Sequence, residues 1–120
     1  MKNTKPFLSV VIPAFNESEN IKKGAPQKVL KYLEKQEYLW ELIFVDDGSS
    51  DNTVFLLAEF VKKNSKLKLI KNPHQGKEAT VIAGMLEGRG EIILFTDMDQ
   101  ATPLNQIEKF IPHFREGADI

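Results

Sequence analysis

Residues 40–61 read WELIFVDDGSSDNTVFLLAEFV, and the fold turns on this stretch. Trp40 to Val45 is rich in the aromatic and β-branched side chains that pack well in sheets. Asp46-Asp47-Gly48-Ser49 then breaks the apolar run, and Gly48 permits a tight turn from strand to helix. Ser50 or Asp51 suits the helix cap. Beyond it Val54, Leu57, Ala58 and Val61 recur at the i, i+3, i+4, i+7 spacing of one helical face.

The same unit repeats outward in both directions. Upstream, Phe7 to Ile12 (FLSVVI) is expected to be a short buried strand, with Pro13 ending it. Asn16, Ser18 and Asn20 can each cap the next helix, but Gly24 and Pro26 interrupt it before Val29, Leu30 and Leu33. This predicts either a short helix with a restart at Pro26 or a kinked one. Downstream, Leu67 to Ile70 is a third strand. Ala79, Ile82, Ala83 and Leu86 form the stripe of a helix closed by Gly88 or Gly90, and Glu91 to Thr96 (EIILFT) is a fourth strand. Leu104 to Phe114 reads as a further helix. Strands alternating with helices at this spacing imply βαβ units, hence an α/β fold with a mostly parallel sheet and helices on both faces.

The 120 residues suffice for one compact domain, and 42% apolar with 28% charged residues is ordinary globular composition. A formal net charge of −1 argues against a nucleic-acid partner, which calls for a basic face. The absence of cysteine excludes disulfides and thiolate chemistry. MKNTKPFLSVVIPAF has a faintly signal-like start, but the run breaks at Pro13 without a small-residue cleavage site, so a core strand explains it better. No stretch approaches the roughly 18 apolar residues of a membrane span.

The polar residues fall where function is expected. Asn16-Glu17 follows the first strand, Asp46 to Ser49 the second, Asn72 to Lys77 the third, and Asp97-Met98-Asp99 the fourth. In an open parallel sheet, ligands bind outside the carboxyl ends of the strands. Asp97 and Asp99, two apart in an extended segment, leave the backbone on the same side. Paired carboxylates repel unless a cation or proton lies between them, and such oxygens suit Mg²⁺ or Mn²⁺ carrying a diphosphate. A structural alternative has one of them capping the helix after Pro103 and the other solvated. One of Asp46 and Asp47 is expected to contact a ligand through a base N–H or sugar hydroxyls, since a turn needs only one acid. Gly76-Lys77 opens a helix, whose amino end attracts anions, though an exposed lysine there is also common. His74 is a possible base or a loop residue, and His113 is read as structural or solvated. Neither a P-loop nor GxGxxG is present.

VVIPAFNESENI (Val10 to Ile21), LIFVDDGSSDNT (Leu42 to Thr53) and NPHQGKEATVIAGMLEGRGEIILFTDMDQATP (Asn72 to Pro103), with the final EGAD, resemble the family 2 glycosyltransferases of GT-A fold. Among them the sequence is similar to enzymes that make polyprenyl- or dolichyl-phosphate sugars, with TDMDQATP closest to the glucosyltransferase-like subgroup. The resemblance implies that residues 1–120 are the nucleotide-sugar-binding, N-terminal portion of such a domain, which is expected to be truncated. It places Pro13, Ala14, Asn16 and Glu17 beside the nucleotide, Asp46 or Asp47 on the base, and Lys77 nearby. Asp97 and Asp99 would hold Mg²⁺ or Mn²⁺ on the diphosphate. The implied donor is UDP-glucose, with uridine over guanosine, and the implied acceptor is a lipid phosphate, reached with inversion. The implied location is the cytoplasm, at the cytoplasmic face of a membrane, with peripheral attachment through segments beyond Ile120. The catalytic base is expected beyond Ile120 as well, so the chain alone is expected to be inactive. Glu78 departs from the glycine, and Gln100 from the leucine, that many relatives carry.

Other classes fit less well. A haloacid-dehalogenase-type phosphatase needs a threonine four residues after the first aspartate, where this chain has Ala101, with Thr102 one further on. A nucleotidyltransferase typically opens with a glycine-rich basic loop, which PAFNESEN is not. A non-catalytic nucleotide-sugar-binding module remains the reading from a different class.

Overall fold

The computed structural model describes residues 5–98. Its order is β1 (Leu8–Ala14), α1 (Ser18–Lys22), α2 (Ala25–Glu34), β2 (Trp40–Asp47), α3 (Thr53–Val61), β3 (Leu67–Asn72), α4 (Lys77–Glu87) and β4 (Ile92–Phe95). The strands form one four-stranded sheet in the order β3-β2-β1-β4, and every pairing is parallel. The segments 99–120, including Asp99, Gln100, His113 and the helix expected over Leu104 to Phe114, lie outside the described residues.

The central strands are apolar on both faces because both faces are covered. Val10, Ile12, Leu42 and Phe44 point to one side, where Ile21 of α1, Val29 and Leu33 of α2, and Leu57 and Phe60 of α3 close over them. Phe60 meets Phe44 edge-on, with ring centroids 5.8 Å apart. Val11, Ile43 and Val45 point to the other side, against Ala83 of α4. Among the described residues no helix is long and apolar enough to cross a membrane.

Four local expectations are corrected. Pro13 lies inside β1 rather than ending it. Ile92 N–H donates to Phe7 O and Thr96 N–H to Val11 O, so alternate residues of β1 face β4. Pro13 continues that alternation beyond the last β4 pairing at Val11, and its missing N–H therefore costs the ladder no bond. The helix after β1 does restart, at Gly24 with φ 96° and with Pro26 in the first turn, as one of the two expected alternatives had it.

The stripe on α3 is rotated, so that Thr53, Leu57 and Phe60 are its buried residues while Val54 and Ala58 are half-buried. On α4 the inward residues are Thr80 and Gly84, whereas Ile82 and Leu86 are 55% and 83% exposed. The cause is close approach: a Cβ on Gly84 would stand 2.3 Å from Val11 Cγ1, so the helix turns its smallest side chain to the sheet. Finally, β2 runs on to Asp47 and β3 to Asn72, carrying both strands further toward the polar turns.

Candidate nucleotide-binding site

All four strands point their carboxyl ends at one cleft of about 280 Å³, near the lower bound of roughly 300 Å³ usual for small-molecule sites. Pro13, Ala14, Phe15 and Glu17 line it from β1 and its loop, and Asp47 from β2. His74, Gly76, Lys77 and Thr80 enter from the β3–α4 connection, and Asp97 from the end of β4.

The loops are held before any ligand arrives. Asn16 adopts a positive φ of 52°, a conformation that asparagine tolerates better than most residues. Its Oδ1 accepts the Ser50 N–H at 2.8 Å, and its own N–H donates to Ser49 Oγ at 2.9 Å. Asp51 works from the opposite side: it accepts the Ser18 N–H at 3.2 Å and the Thr53 N–H at 2.9 Å, and the Thr53 hydroxyl also donates to it. The N-cap of α3 is Asn52, not Ser50 or Asp51 as expected, and it makes no side-chain cap bond; Asp51, one residue earlier, instead holds Thr53 at the start of the helix. Burial alone would raise its carboxyl, but the donors from Thr53 and Ser18 outweigh this and lower it to about 2. Asn16 therefore serves the site by stitching the β1 and β2 loops together.

The adjacent aspartates divide the work. Asp46 is buried and accepts Ser49 N–H and Oγ–H at 3.0 and 2.5 Å, which shapes the turn. Asp47 reaches across to the β3–α4 loop, accepting Gln75 N–H at 2.8 Å and Gly76 N–H at 3.1 Å. Burial would raise the Asp47 carboxyl; the two amides, then the charge and hydrogen bond of His74, outweigh it and leave it below the usual range. Gly48 beneath has φ 71°, and a Cβ there would lie 2.4 Å from the His74 backbone nitrogen, so the crossing of the two loops requires glycine. Of the two acids, only Asp47 borders the cleft.

Lys77 opens α4 and extends over the cleft, its Nζ 3.4 Å from Asp97 Oδ1. Both side chains are well exposed, at 71% and 48%. The Asp97 carboxylate faces the cleft with this long contact to a cation, an arrangement suited to a hard divalent ion brought in with phosphate oxygens. Among the described residues no group of three acidic, histidine or cysteine side chains stands close enough to hold a metal. Glu17 also borders the cleft, accepting a hydrogen bond from Asn20 Nδ2 at 2.8 Å.

Phe15, expected with Ala14 to narrow the space for the base, and Thr80, which the sequence did not mark, both line the cleft. Phe15 stacks on His74 at the rim, and Thr80 bonds the Gly76 carbonyl through its hydroxyl at 2.9 Å, fixing the first turn of α4. The aromatic in PAFNE was legible as a residue beside the nucleotide, whereas nothing in the sequence marked Thr80.

Comparison with known proteins adds the lineage of this arrangement. The sequence model of the family described as glycosyl transferase family 2 matches residues 9–120. A dolichyl-phosphate beta-glucosyltransferase of Trichomonas vaginalis is 38% identical over 109 residues, covering 86% of this chain and 32% of the relative. The dolichyl-phosphate beta-glucosyltransferase of Saccharomyces cerevisiae is 38% identical over 111 residues, covering 88% and 33%. The chain thus spans about a third of the length of the curated relatives it matches. Among solved structures, a mannosyltransferase of Pyrobaculum calidifontis in complex with GDP-Man and Mn²⁺ superposes with a TM-score of 0.67 at 23% identity, covering 88% of this chain and 32% of that one. That likeness establishes a GT-A glycosyltransferase fold.

Proposed function

The chain belongs to glycosyl transferase family 2, and on that premise we propose that residues 1–120 form the donor-binding portion of an enzyme that moves glucose from UDP-glucose to a polyprenyl phosphate. The observation that carries this reading is the cleft itself, where the ends of all four strands meet and Asp97 faces Lys77 across 3.4 Å. A divalent cation, Mg²⁺ or Mn²⁺, would be held by Asp97 together with Asp99, and supplies charge neutralisation on the departing diphosphate.

The chain's own residues do the rest of the donor work. Lys77 and the amino end of α4 offer positive potential to the phosphates. Asp47 borders the place of the base, and Pro13, Ala14 and Glu17 border the same space from β1. In the transfer, an acceptor phosphate oxygen bonds to the sugar C1 as the C1–O bond to the nucleoside diphosphate breaks, with inversion at C1. The similarity to dolichyl-phosphate glucosyltransferases supports UDP-glucose as the donor and a lipid phosphate as the acceptor. A lipid acceptor sets the reaction at a membrane, on its cytoplasmic side, with attachment and the catalytic base supplied by parts of the protein other than the described residues.

The test is transfer of labelled glucose from UDP-glucose to polyprenyl phosphate by the full-length protein. Product formation that disappears with chelator supports the reading, and so does its absence from the isolated 1–120 fragment. Failure of the full-length protein with UDP-glucose but success with a GDP-sugar overturns the donor assignment, and transfer only to a sugar hydroxyl overturns the acceptor.

A further inference from the structure

The imidazole of His74 is bound in the way a nucleobase is bound. Its ring stacks on Phe15 with centroids 4.5 Å apart and planes inclined by 26°. Its Nδ1 lies 3.0 Å from Asp47 Oδ2 and 3.1 Å from the Asp47 backbone oxygen. Neither acceptor has a proton to give, so Nδ1 carries the hydrogen. A flat heterocycle thus covers an aromatic face and donates a ring N–H to a carboxylate. Uracil, with its planar ring and N3–H, offers the same two features.

We infer that His74 is a specificity-determining residue of the nucleotide site, a placeholder whose imidazole holds the base position until a nucleobase displaces it. The inference rests on the nucleotide reading above. Both rings are accessible, with Phe15 45% exposed and the His74 side chain 60%. The backbone beneath is fixed, because Asp47 clasps Gln75 and Gly76 and the loop crosses directly over Gly48. Only the side chain must rotate, and exposed side chains do so within nanoseconds. When it leaves, Asp47 keeps its two amide donors while Oδ2 regains room for one more, and one face of Phe15 is freed.

The consequence is a filter. A ligand that stacks and donates a ring N–H replaces what His74 gives up, whereas a diphosphate without a base has nothing to gain from displacing it. The occupied fraction of the slot also lowers apparent affinity for every nucleotide in proportion.

Calorimetry on the full-length protein with Mn²⁺, comparing UDP with inorganic diphosphate, tests this in wild type and His74→Ala. Loss of one stacking partner is expected to tighten UDP about three- to tenfold and to leave inorganic diphosphate unchanged. Unchanged or weaker UDP binding by His74→Ala overturns the placeholder. A measurement independent of the variant is the NMR signal of the His74 ring protons, which the Phe15 ring current shifts in the free protein. Saturating UDP should return them toward random-coil positions and inorganic diphosphate should not; no movement with UDP overturns the inference. If wild type binds neither UDP nor GDP, the nucleotide reading falls and the placeholder with it. If UDP binds and His74→Ala does not tighten it, the placeholder alone falls.

Discussion

The two ends of one sheet treat a carboxylate in opposite ways. At the amino edge Glu41 is only 4% exposed, and its oxygens are engaged on all sides. Ser9 Oγ–H donates to Oε2 at 2.5 Å, the Arg89 N–H to the same oxygen at 2.7 Å, and Lys68 Nζ pairs with Oε1 at 2.8 Å. The Gly90 N–H completes the knot by donating to Ser9 Oγ at 2.8 Å. At the carboxyl edge Asp97 is half exposed and faces Lys77 Nζ at 3.4 Å. An acid whose lone pairs are taken by the protein is part of the fold. One that faces a cleft beside a distant cation can still take a ligand. The difference lies in the inventory of partners and not in the residue type.

Removing Glu41 should break the comparison most severely on the stability side. Glu41→Ala leaves the Ser9 hydroxyl and the Arg89 N–H without their acceptor and unties the α4–β4 connection, a loss of about 1–3 kcal/mol, since the one-third-exposed Lys68 can turn to water. Denaturant unfolding should register it, while UDP affinity of the folded fraction stays at the wild-type value. A matching loss of affinity would mean that the two ends are not independent.

A smaller effect is expected where Asp51 joins the loops beside the cleft. Asp51→Ala removes the acceptor that ties Ser18 and Thr53 together at the start of α3 and should cost about 1 kcal/mol. Its carboxyl is depressed to about 2 in the folded chain, against about 3.9 when unfolded. The stability it contributes is therefore present above about pH 4 and lost as pH falls through 2. Glu41 and Asp47 are depressed as well: burial opposes the shift in each, and their hydrogen-bond donors overcome it. The wild-type acid limb should accordingly be steep below pH 4, and flatter in Asp51→Ala. Parallel acid limbs in the two proteins would remove Asp51 from the account.

The same contrast explains what could be read from the residues beforehand. The alternation of strands and helices, the sheet's direction and the polar edge were all legible, because apolar runs such as WELIFV and FLSVVI end abruptly in turn residues. Periodicity located α4 but not the way it faces. Ile82 and Leu86 lie outward because Gly84 and Thr80 allow the helix to sit close on Val11, and close approach is a tertiary fact. Glu41 was hidden inside a strand pattern, since its partners Ser9, Lys68 and Arg89 are far apart in the chain. The cleft residues Glu17, Asp47, Lys77 and Asp97 were legible by position, whereas the division of labour between Asp46 and Asp47 depended on which loop each reaches. The pairing of Phe15 with His74 joins two loops and has no local signature.

The central claim is that the carboxyl edge of the sheet holds a nucleoside diphosphate through Asp97 and a divalent cation. Titration of UDP into the full-length protein, with Mn²⁺ and with chelator, in wild type and in Asp97→Ala, tests it directly. Removal of a metal-holding carboxylate should weaken UDP binding at least about tenfold, or 1.4 kcal/mol, with the unfolding midpoint unchanged and chelator giving no further loss in the variant. UDP binding that is equally tight in both proteins and indifferent to chelator would contradict the claim.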